Sequence, residues 1–85
     1  MSDAFEFHES RDAYVLEGPG DDSRYRIVVS RAFVDDEIGE AADDAARRAW
    51  LKANLPSILG AYTARIEGGW VKSPWDRVLV EEVEG

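Results

Sequence analysis

The chain has 85 residues, 45% of them hydrophobic and 33% charged, with a single histidine and no cysteine. A chain of this length supports only one hydrophobic core, so we predict one folded domain over residues 1–85. The formal net charge of −8 repels nucleic acid and anionic membranes. The lack of cysteine excludes disulfides, a thiolate nucleophile and a zinc site built on sulfur.

The sequence also predicts a cellular compartment. No basic stretch followed by an apolar run opens the chain, and no apolar stretch reaches the ~18 residues that a membrane-spanning helix needs. A chain without cysteine suits a reducing environment. We therefore expect a cytoplasmic protein with no membrane contact, no nucleic-acid partner and no cofactor.

Strand patterns occupy the first third of the chain. Residues 4–8 and 12–17 show the alternation of half-buried strands and are separated by turn residues. A loop rich in glycine and aspartate follows. Residues 24–30 alternate most clearly, with large apolar residues on one face. These segments predict a β-hairpin followed by a third strand.

A short helix and then a long helix are predicted next. Ser30 is a suitable N-cap for a helix over residues 31–38, and Gly39 can end that helix with a positive φ. Apolar residues then recur at three- and four-residue steps between Glu40 and Gly68, which predicts one long amphipathic helix. Pro56 interrupts this helix, because proline lacks the amide hydrogen that a helix interior uses.

Two arrangements at Pro56 are open. The long helix can be kinked there, or it can divide into two helices with Asn54 capping the second and Pro56 in its first turn. We favour the kinked helix, because the apolar stripe continues in phase through the proline. The helix then ends at Gly68-Gly69, and Trp70-Val71 can begin a further strand.

The predicted fold class is α+β. A mainly antiparallel four-stranded sheet carries the long helix across one face, in the order β-β-β-(short α)-α-β. The strands are expected near residues 4–8, 12–17, 24–30 and 76–82. The predicted core consists of large apolar residues from the strands and the long helix: Phe5, Phe7, Val15, Tyr25, Ile27, Val29, Trp50, Leu55, Ile58, Tyr62, Val78 and Val80.

Two features suggest a ligand or a reaction, and each has a simpler structural explanation. Residues 35–44 are rich in carboxylates, but they lack the alternating Asp-x-Asp-x-Asp-Gly spacing of a calcium loop. We attribute these carboxylates to the favourable charge at a helix start and predict no metal site. Histidine is the usual general base, yet no nucleophile lies at a recognised spacing from His8. We expect His8 at the surface beside Glu6, and we predict no catalytic residue.

Two sets of residues are candidates for contact with a partner protein. Trp70 and Trp75 flank Lys72-Ser73-Pro74, and exposed tryptophans are frequent at binding hot spots. The alternative is that both rings cover the open end of the core. The second set is a basic stripe on the long helix, which is unusual in so acidic a chain. The candidate contact residues are Trp70, Lys72, Trp75, Arg47, Arg48 and Lys52.

One succession of residues also suggests a family. Val29-Ser30-Arg31-Ala32-Phe33 leads through Ile38-Gly39 into a helix bearing Trp50, Asn54, Ile58 and Ile66. This succession resembles the bacterial domain-of-unknown-function family 1488, in which a strand, a Ser-Arg turn and a Phe-Gly-like stop precede one long helix. The resemblance covers about two-thirds of the chain. The chain departs from it at Pro56, at Gly60 and in the longer aromatic segment from Trp70 to Trp75. The resemblance implies a small α+β fold and supplies no catalytic residue.

We expect a non-enzymatic accessory or protein-interaction domain that contacts its partner through the uncovered sheet face or the tryptophan segment. The alternative is an acidic mimic of nucleic acid that binds a basic protein, suggested by the carboxylates at residues 35–44. A third hypothesis is a small hydrolase that uses His8, but one helix layer on one sheet rarely provides a pocket. Exposed strand edges leave both a monomer and a homodimer open.

Overall fold

A four-stranded antiparallel sheet forms one layer of the protein. In the computed structural model, which describes residues 5–19 and 24–83, the strands are β1 (Glu6–His8), β2 (Ala13–Glu17), β3 (Tyr25–Ser30) and β4 (Leu79–Glu82). They lie in the order β1-β2-β3-β4, and each neighbouring pair is antiparallel. The predicted α+β class and the four-stranded antiparallel sheet are confirmed.

The connection from β3 to β4 contains three α-helices that pack on one face of the sheet. They are α1 (Arg31–Ile38), α2 (Asp44–Ala53) and α3 (Leu55–Ile66). The Ser30 hydroxyl accepts a hydrogen bond from the Phe33 amide at 3.2 Å, and Gly39 ends α1 with a φ of 102°. Both ends of the predicted short helix are therefore confirmed.

The prediction of one long helix is wrong. Its first residues are not helical, and Asp43 instead caps α2 by accepting from the Ala46 amide at 2.8 Å. Pro56 lies in the first turn of α3, where its missing amide hydrogen leaves no helical bond unmade. Asn54 separates α2 from α3, but its side chain donates to the Trp50 carbonyl at 2.9 Å and does not cap α3. The chain therefore forms two helices near the proline, and not the single kinked helix that the apolar stripe favours.

The segment after α3 also differs from the prediction. α3 ends at Ile66, two residues before the Gly68-Gly69 pair that the sequence predicts to end it, and Gly68 has a φ of 74°. Trp70-Val71 forms no strand. Residues Trp75–Arg77 form a short 3₁₀-helix, so β4 begins at Leu79 and the predicted last strand starts too early.

The core lies between the helices and the sheet face that they cover. Its buried members are Phe5, Tyr14, Leu16, Ile27, Val29, Phe33, Val34, Leu51, Ile58, Ala61, Tyr62 and Val78. Five predicted core residues, Phe7, Tyr25, Trp50, Leu55 and Val80, are partly buried and pack against it. Val15 is also buried, at 1% exposed, but it lies in a second cluster on the opposite sheet face. The reason is that β2 is buried on both faces, and its run of apolar residues has no alternation that would show its phase.

Candidate functional site

Charged side chains cross the sheet face that points away from the helices. Ala13, Val15 and Val28 form a small cluster on this open sheet face, and they are only 1–3% exposed. The Arg11 guanidinium donates to both carboxylate oxygens of Glu81, at 2.7 Å for the Nη1–Oε1 pair, and Arg26 Nε donates to Oε1 at 2.9 Å. Arg11 belongs to the turn between β1 and β2, whereas Glu81 lies in β4, so these ion pairs span the sheet. The open sheet face is therefore not a bare apolar surface.

The same contacts fix the charge of Glu81. The hydrogen bond from Arg11, supported by one from Arg26, lowers the pKa of Glu81 from 4.5 to about 2. The contact also raises the pKa of Arg11. A carboxylate held between two guanidiniums is stabilised in its ionised form. Glu81 is thus ionised at neutral pH and connects β4 to Arg11 and Arg26.

Arg47 makes an ion pair inside the protein. Its Nε donates to Asp35 Oδ1 at 2.8 Å, and its side chain is only 14% exposed. Asp35 is buried and also accepts from Arg31 Nη1 at 3.1 Å, while Arg31 Nε donates to Asp12 at 2.6 Å. The hydrogen bond to Asp35 raises the pKa of Arg47, and the one from Arg31 lowers the pKa of Asp12. These contacts join α2, α1 and the turn before β2.

Arg48 is also engaged within the fold. Arg48 donates to Asp44 at 2.6 Å and to the Phe5 carbonyl at 2.8 Å, and its guanidinium lies 5.6 Å from the centre of the Tyr14 ring. The Tyr14 hydroxyl donates to Asp44 at 2.7 Å, and burial raises the pKa of Tyr14. Lys52 is exposed and makes no ion pair with the described residues. Of the predicted basic stripe, Lys52 is the side chain that stays available.

The acidic segment and His8 form no metal-binding cluster in the described ranges. Asp36 accepts from Arg77 at 2.7 Å, and Asp43 caps α2. Across residues 5–19 and 24–83, no group of three or more histidine, aspartate or glutamate side chains is placed to hold a metal ion. His8 Nε2 lies 4.0 Å from Glu6 Oε2, as expected for a surface pair.

Trp75 belongs to an aromatic cluster at one end of the core. Its ring stacks on Trp50, with centroids 5.9 Å apart and an interplanar angle of 26°, and it meets the edge of Phe33 at 6.1 Å. Trp50 contacts Phe33 edge-on at 5.6 Å. The half-buried Trp75 ring therefore covers core residues, as the alternative to a partner contact predicts for this ring.

An open groove lies between α3 and the segment that follows it. The groove has a volume of about 230 Å³ and is lined by Ser57, Gly60, Ala61, Ala64, Trp70, Val71, Lys72 and Trp75. The Gly69 amide donates to the Ala64 carbonyl at 2.6 Å, which holds the segment against the helix. Trp70 is 81% exposed at this groove. We call these eight lining residues, together with Glu67 at the end of α3, the α3–Trp70 surface.

The α3–Trp70 surface carries two charges that have no ion-pair partner within residues 5–19 and 24–83. Lys72 and Glu67 are exposed, and neither side chain makes an ion pair with the residues that the structure describes. The arginines differ, because each makes a contact within the chain; even Arg65 donates to the Asp76 carbonyl at 2.6 Å. The free charges of this surface are therefore available to a partner.

The structure brings together one of the two predicted sets. Trp70, Lys72 and Trp75 line the groove, whereas Arg47, Arg48 and Lys52 do not. The helical side of the groove is not among the residues predicted from the sequence. The signal that could have revealed it is the run of small residues Ser57, Gly60, Ala61 and Ala64, three and four positions apart on one face of a helix.

Comparisons of the chain with protein-family models, with curated proteins and with solved structures find no match. The resemblance to family 1488 therefore stays a prediction. Among the described residues, no helix combines the length and the hydrophobicity that crossing a membrane requires.

Proposed function

We propose that this protein is a non-enzymatic interaction domain that binds a partner protein through the α3–Trp70 surface. The observation that carries the proposal is the 81% exposure of Trp70 beside a groove of small residues. Tryptophan is enriched at binding hot spots, where its ring enters a concave site on the partner and loses its water. Burying such a ring in a complex contributes about 2 kcal/mol or more.

The distribution of charged residues supports binding, and not catalysis, as the role of this surface. Elsewhere in the described chain, Glu81 and Asp35 hold strands and helices together through guanidinium contacts. Lys72 is the one charged residue among those lining the groove. Acid–base or nucleophilic catalysis requires a reactive group within hydrogen-bond reach of a second group that activates it. A single lysine beside indole rings suits recognition better than reaction.

A pair of alanine substitutions tests the proposal. Trp70→Ala removes the exposed ring of the α3–Trp70 surface, and Leu79→Ala removes the 51% exposed side chain of the open sheet face. A tagged chain is expressed in cells of its source organism, and the recovered proteins are quantified by mass spectrometry. We expect a partner that is recovered with Leu79→Ala and lost with Trp70→Ala. Recovery that survives Trp70→Ala, with both variants folded by circular dichroism, would contradict the proposal.

A basic protein partner is a second candidate, in line with mimicry of nucleic acid. The observation that favours it is a set of exposed carboxylates that make no ion pair with the described residues, namely Glu9, Glu37, Glu40, Glu67, Asp76 and Glu82. Attraction between such a surface and a basic protein weakens as salt screens it. Titration with a purified DNA-binding protein at increasing salt is expected to show falling affinity. Binding that does not depend on salt would exclude this candidate.

A further inference from the structure

We infer that the partner of the α3–Trp70 surface is a second copy of this chain, bound across a two-fold axis. This inference rests on the proposed function and names the partner for the same surface. A two-fold interface places one patch against itself, so the patch has to contain both members of each contact. The α3–Trp70 surface meets this condition in its shape and in its charge.

The protruding ring and the groove lie in the same patch. Trp70 is 81% exposed, and the groove beside it has a volume of about 230 Å³. A Cβ added at Gly60 would meet no atom of the described residues within 4 Å, so none of their groups fills this position. Across a two-fold axis, each Trp70 ring enters the groove of the other copy. The small side chains of Gly60 and Ala64 let the two α3 helices approach closely while it does so.

The charges of the patch are also self-complementary. Lys72 and Glu67 are exposed and make no ion pair with the described residues. In a symmetric complex, Lys72 of each copy pairs with Glu67 of the partner subunit, which gives two equivalent ion pairs. Each pair adds little affinity by itself, but opposite charges fix the orientation of a contact. A uniformly basic partner would meet repulsion at Lys72, and a uniformly acidic one would meet it at Glu67.

Sedimentation velocity of the full chain tests the inference at protein concentrations from about 1 µM to about 1 mM. The buffer contains about 0.15 M salt, which screens the repulsion between two acidic copies. The parent is expected to form a reversible dimer. Trp70→Ala is expected to raise the dissociation constant of the dimer at least about 30-fold. Gly60→Leu places a side chain in the groove and is expected to have a similar effect. Both positions are exposed, so circular dichroism should show folded variants.

Charge reversal tests the orientation. In the dimer, Lys72→Glu or Glu67→Lys turns both ion pairs into pairs of like charge. Each variant is expected to raise the dissociation constant about 10-fold. The double variant restores opposite charges and should return to within about threefold of the parent. Lys52→Glu is the matched control, because it changes the net charge as Lys72→Glu does but lies outside the surface. It is expected to leave the dimer unchanged.

A chain that stays monomeric over the whole range overturns the inference. If a different protein is then recovered from cells and is lost with Trp70→Ala, the proposed function stands and the partner is that protein. If no recovery depends on Trp70, the proposed function fails as well. A dimer that Trp70→Ala and Gly60→Leu do not weaken also overturns the inference, because its interface then lies elsewhere, for example at the edge of β1 or β4.

Discussion

The open sheet face and the α3–Trp70 surface use their charged residues in opposite ways. On the open sheet face, Glu81 binds two guanidiniums from distant parts of the chain, and the apolar cluster at Val15 and Val28 is almost fully buried. On the α3–Trp70 surface, Lys72 stays unpaired with respect to the described residues and Trp70 stays exposed. Ion pairs therefore connect distant parts of the chain on one surface of this small domain, whereas the other surface displays an exposed ring and a charge that is unpaired among the described residues.

This difference predicts two classes of substitution, one that changes stability and one that changes binding. Residues that close the core or the open sheet face should change the free energy of unfolding. Residues displayed by the α3–Trp70 surface should change binding and leave that free energy nearly unaltered. Trp75 lies between these classes, because its ring both stacks on Trp50 and lines the groove.

The largest effect is expected for Trp75→Ala. We expect this change to lower the free energy of unfolding by about 2–3 kcal/mol, below the value for a fully buried tryptophan because the ring is half-buried. The loss comes from the stacking on Trp50 and the edge contact with Phe33. Chemical denaturation followed by circular dichroism measures it. A midpoint equal to that of the parent would place Trp75 with Trp70 as a displayed residue.

Glu81→Gln should have the next largest effect. The pKa of about 2 in the folded protein corresponds to at most about 3 kcal/mol at neutral pH. Since the side chain is 30% exposed, solvent screening reduces the expected loss to about 1–2 kcal/mol. Glu82→Gln is the matched control, because Glu82 is exposed and makes no ion pair with the described residues. An equal loss for both variants would mean that the ion pairs do not stabilise the open sheet face.

The contribution of Glu81 should also depend on pH in a defined direction. The pKa of this carboxyl is lower in the folded than in the unfolded chain, so its stabilisation is present above about pH 4.5 and is lost as the pH falls toward about 2. The difference in unfolding free energy between the parent and Glu81→Gln should therefore shrink over this range. A difference that stays constant from pH 7 to the acid limit would contradict the assigned pKa.

Gly60→Ala should stabilise the protein by about 0.5–1 kcal/mol. Gly60 lies inside α3, where alanine is the better helix former, and the added Cβ meets no atom within 4 Å. Gly68→Ala should instead destabilise the protein, because Gly68 has a φ of 74° that alanine adopts with strain. Thermal unfolding of both variants distinguishes them. If Gly60→Ala destabilises the protein, then another group of the same chain occupies the space beside Gly60.

The smallest effect is expected for Trp70→Ala. A ring that is 81% exposed makes few contacts to lose, so the free energy of unfolding should change by less than about 0.5 kcal/mol. Equilibrium denaturation at a low protein concentration measures this without a contribution from association. A loss comparable to that of Trp75→Ala would mean that the Trp70 ring packs in the core.

Local signals in the sequence predict the parts of the fold that local contacts determine. α1 is predicted at both ends because its N-cap hydroxyl and its terminal glycine are adjacent to it in the chain. The division of the long helix is different. The single residue Asn54 separates α2 from α3, so the apolar stripe stays nearly in phase across the break and hydrophobic periodicity does not detect it.

Contacts between distant residues determine what the sequence does not predict. The face that Val15 occupies depends on which side of the sheet the helices cover, and β2 is apolar toward both. Arg11 and Glu81 are 70 positions apart, and no local pattern links them. Arg47 is an exposed cation in a helical projection, but its partner Asp35 comes from a different helix. Trp70 and Lys72 are candidates from residue type alone, because exposed tryptophans are frequent at binding hot spots, and the predicted strand at Trp70-Val71 does not form.

Photo-crosslinking from the two surfaces tests most directly whether this protein binds through the α3–Trp70 surface. A photoreactive amino acid replaces Trp70 in one variant and Leu79 in the other, and the cross-linked products are identified in cells. We predict specific adducts from position 70, with a second copy or another protein, and none above background from position 79. Specific adducts from position 79 together with none from position 70 would contradict the assignment of the binding surface.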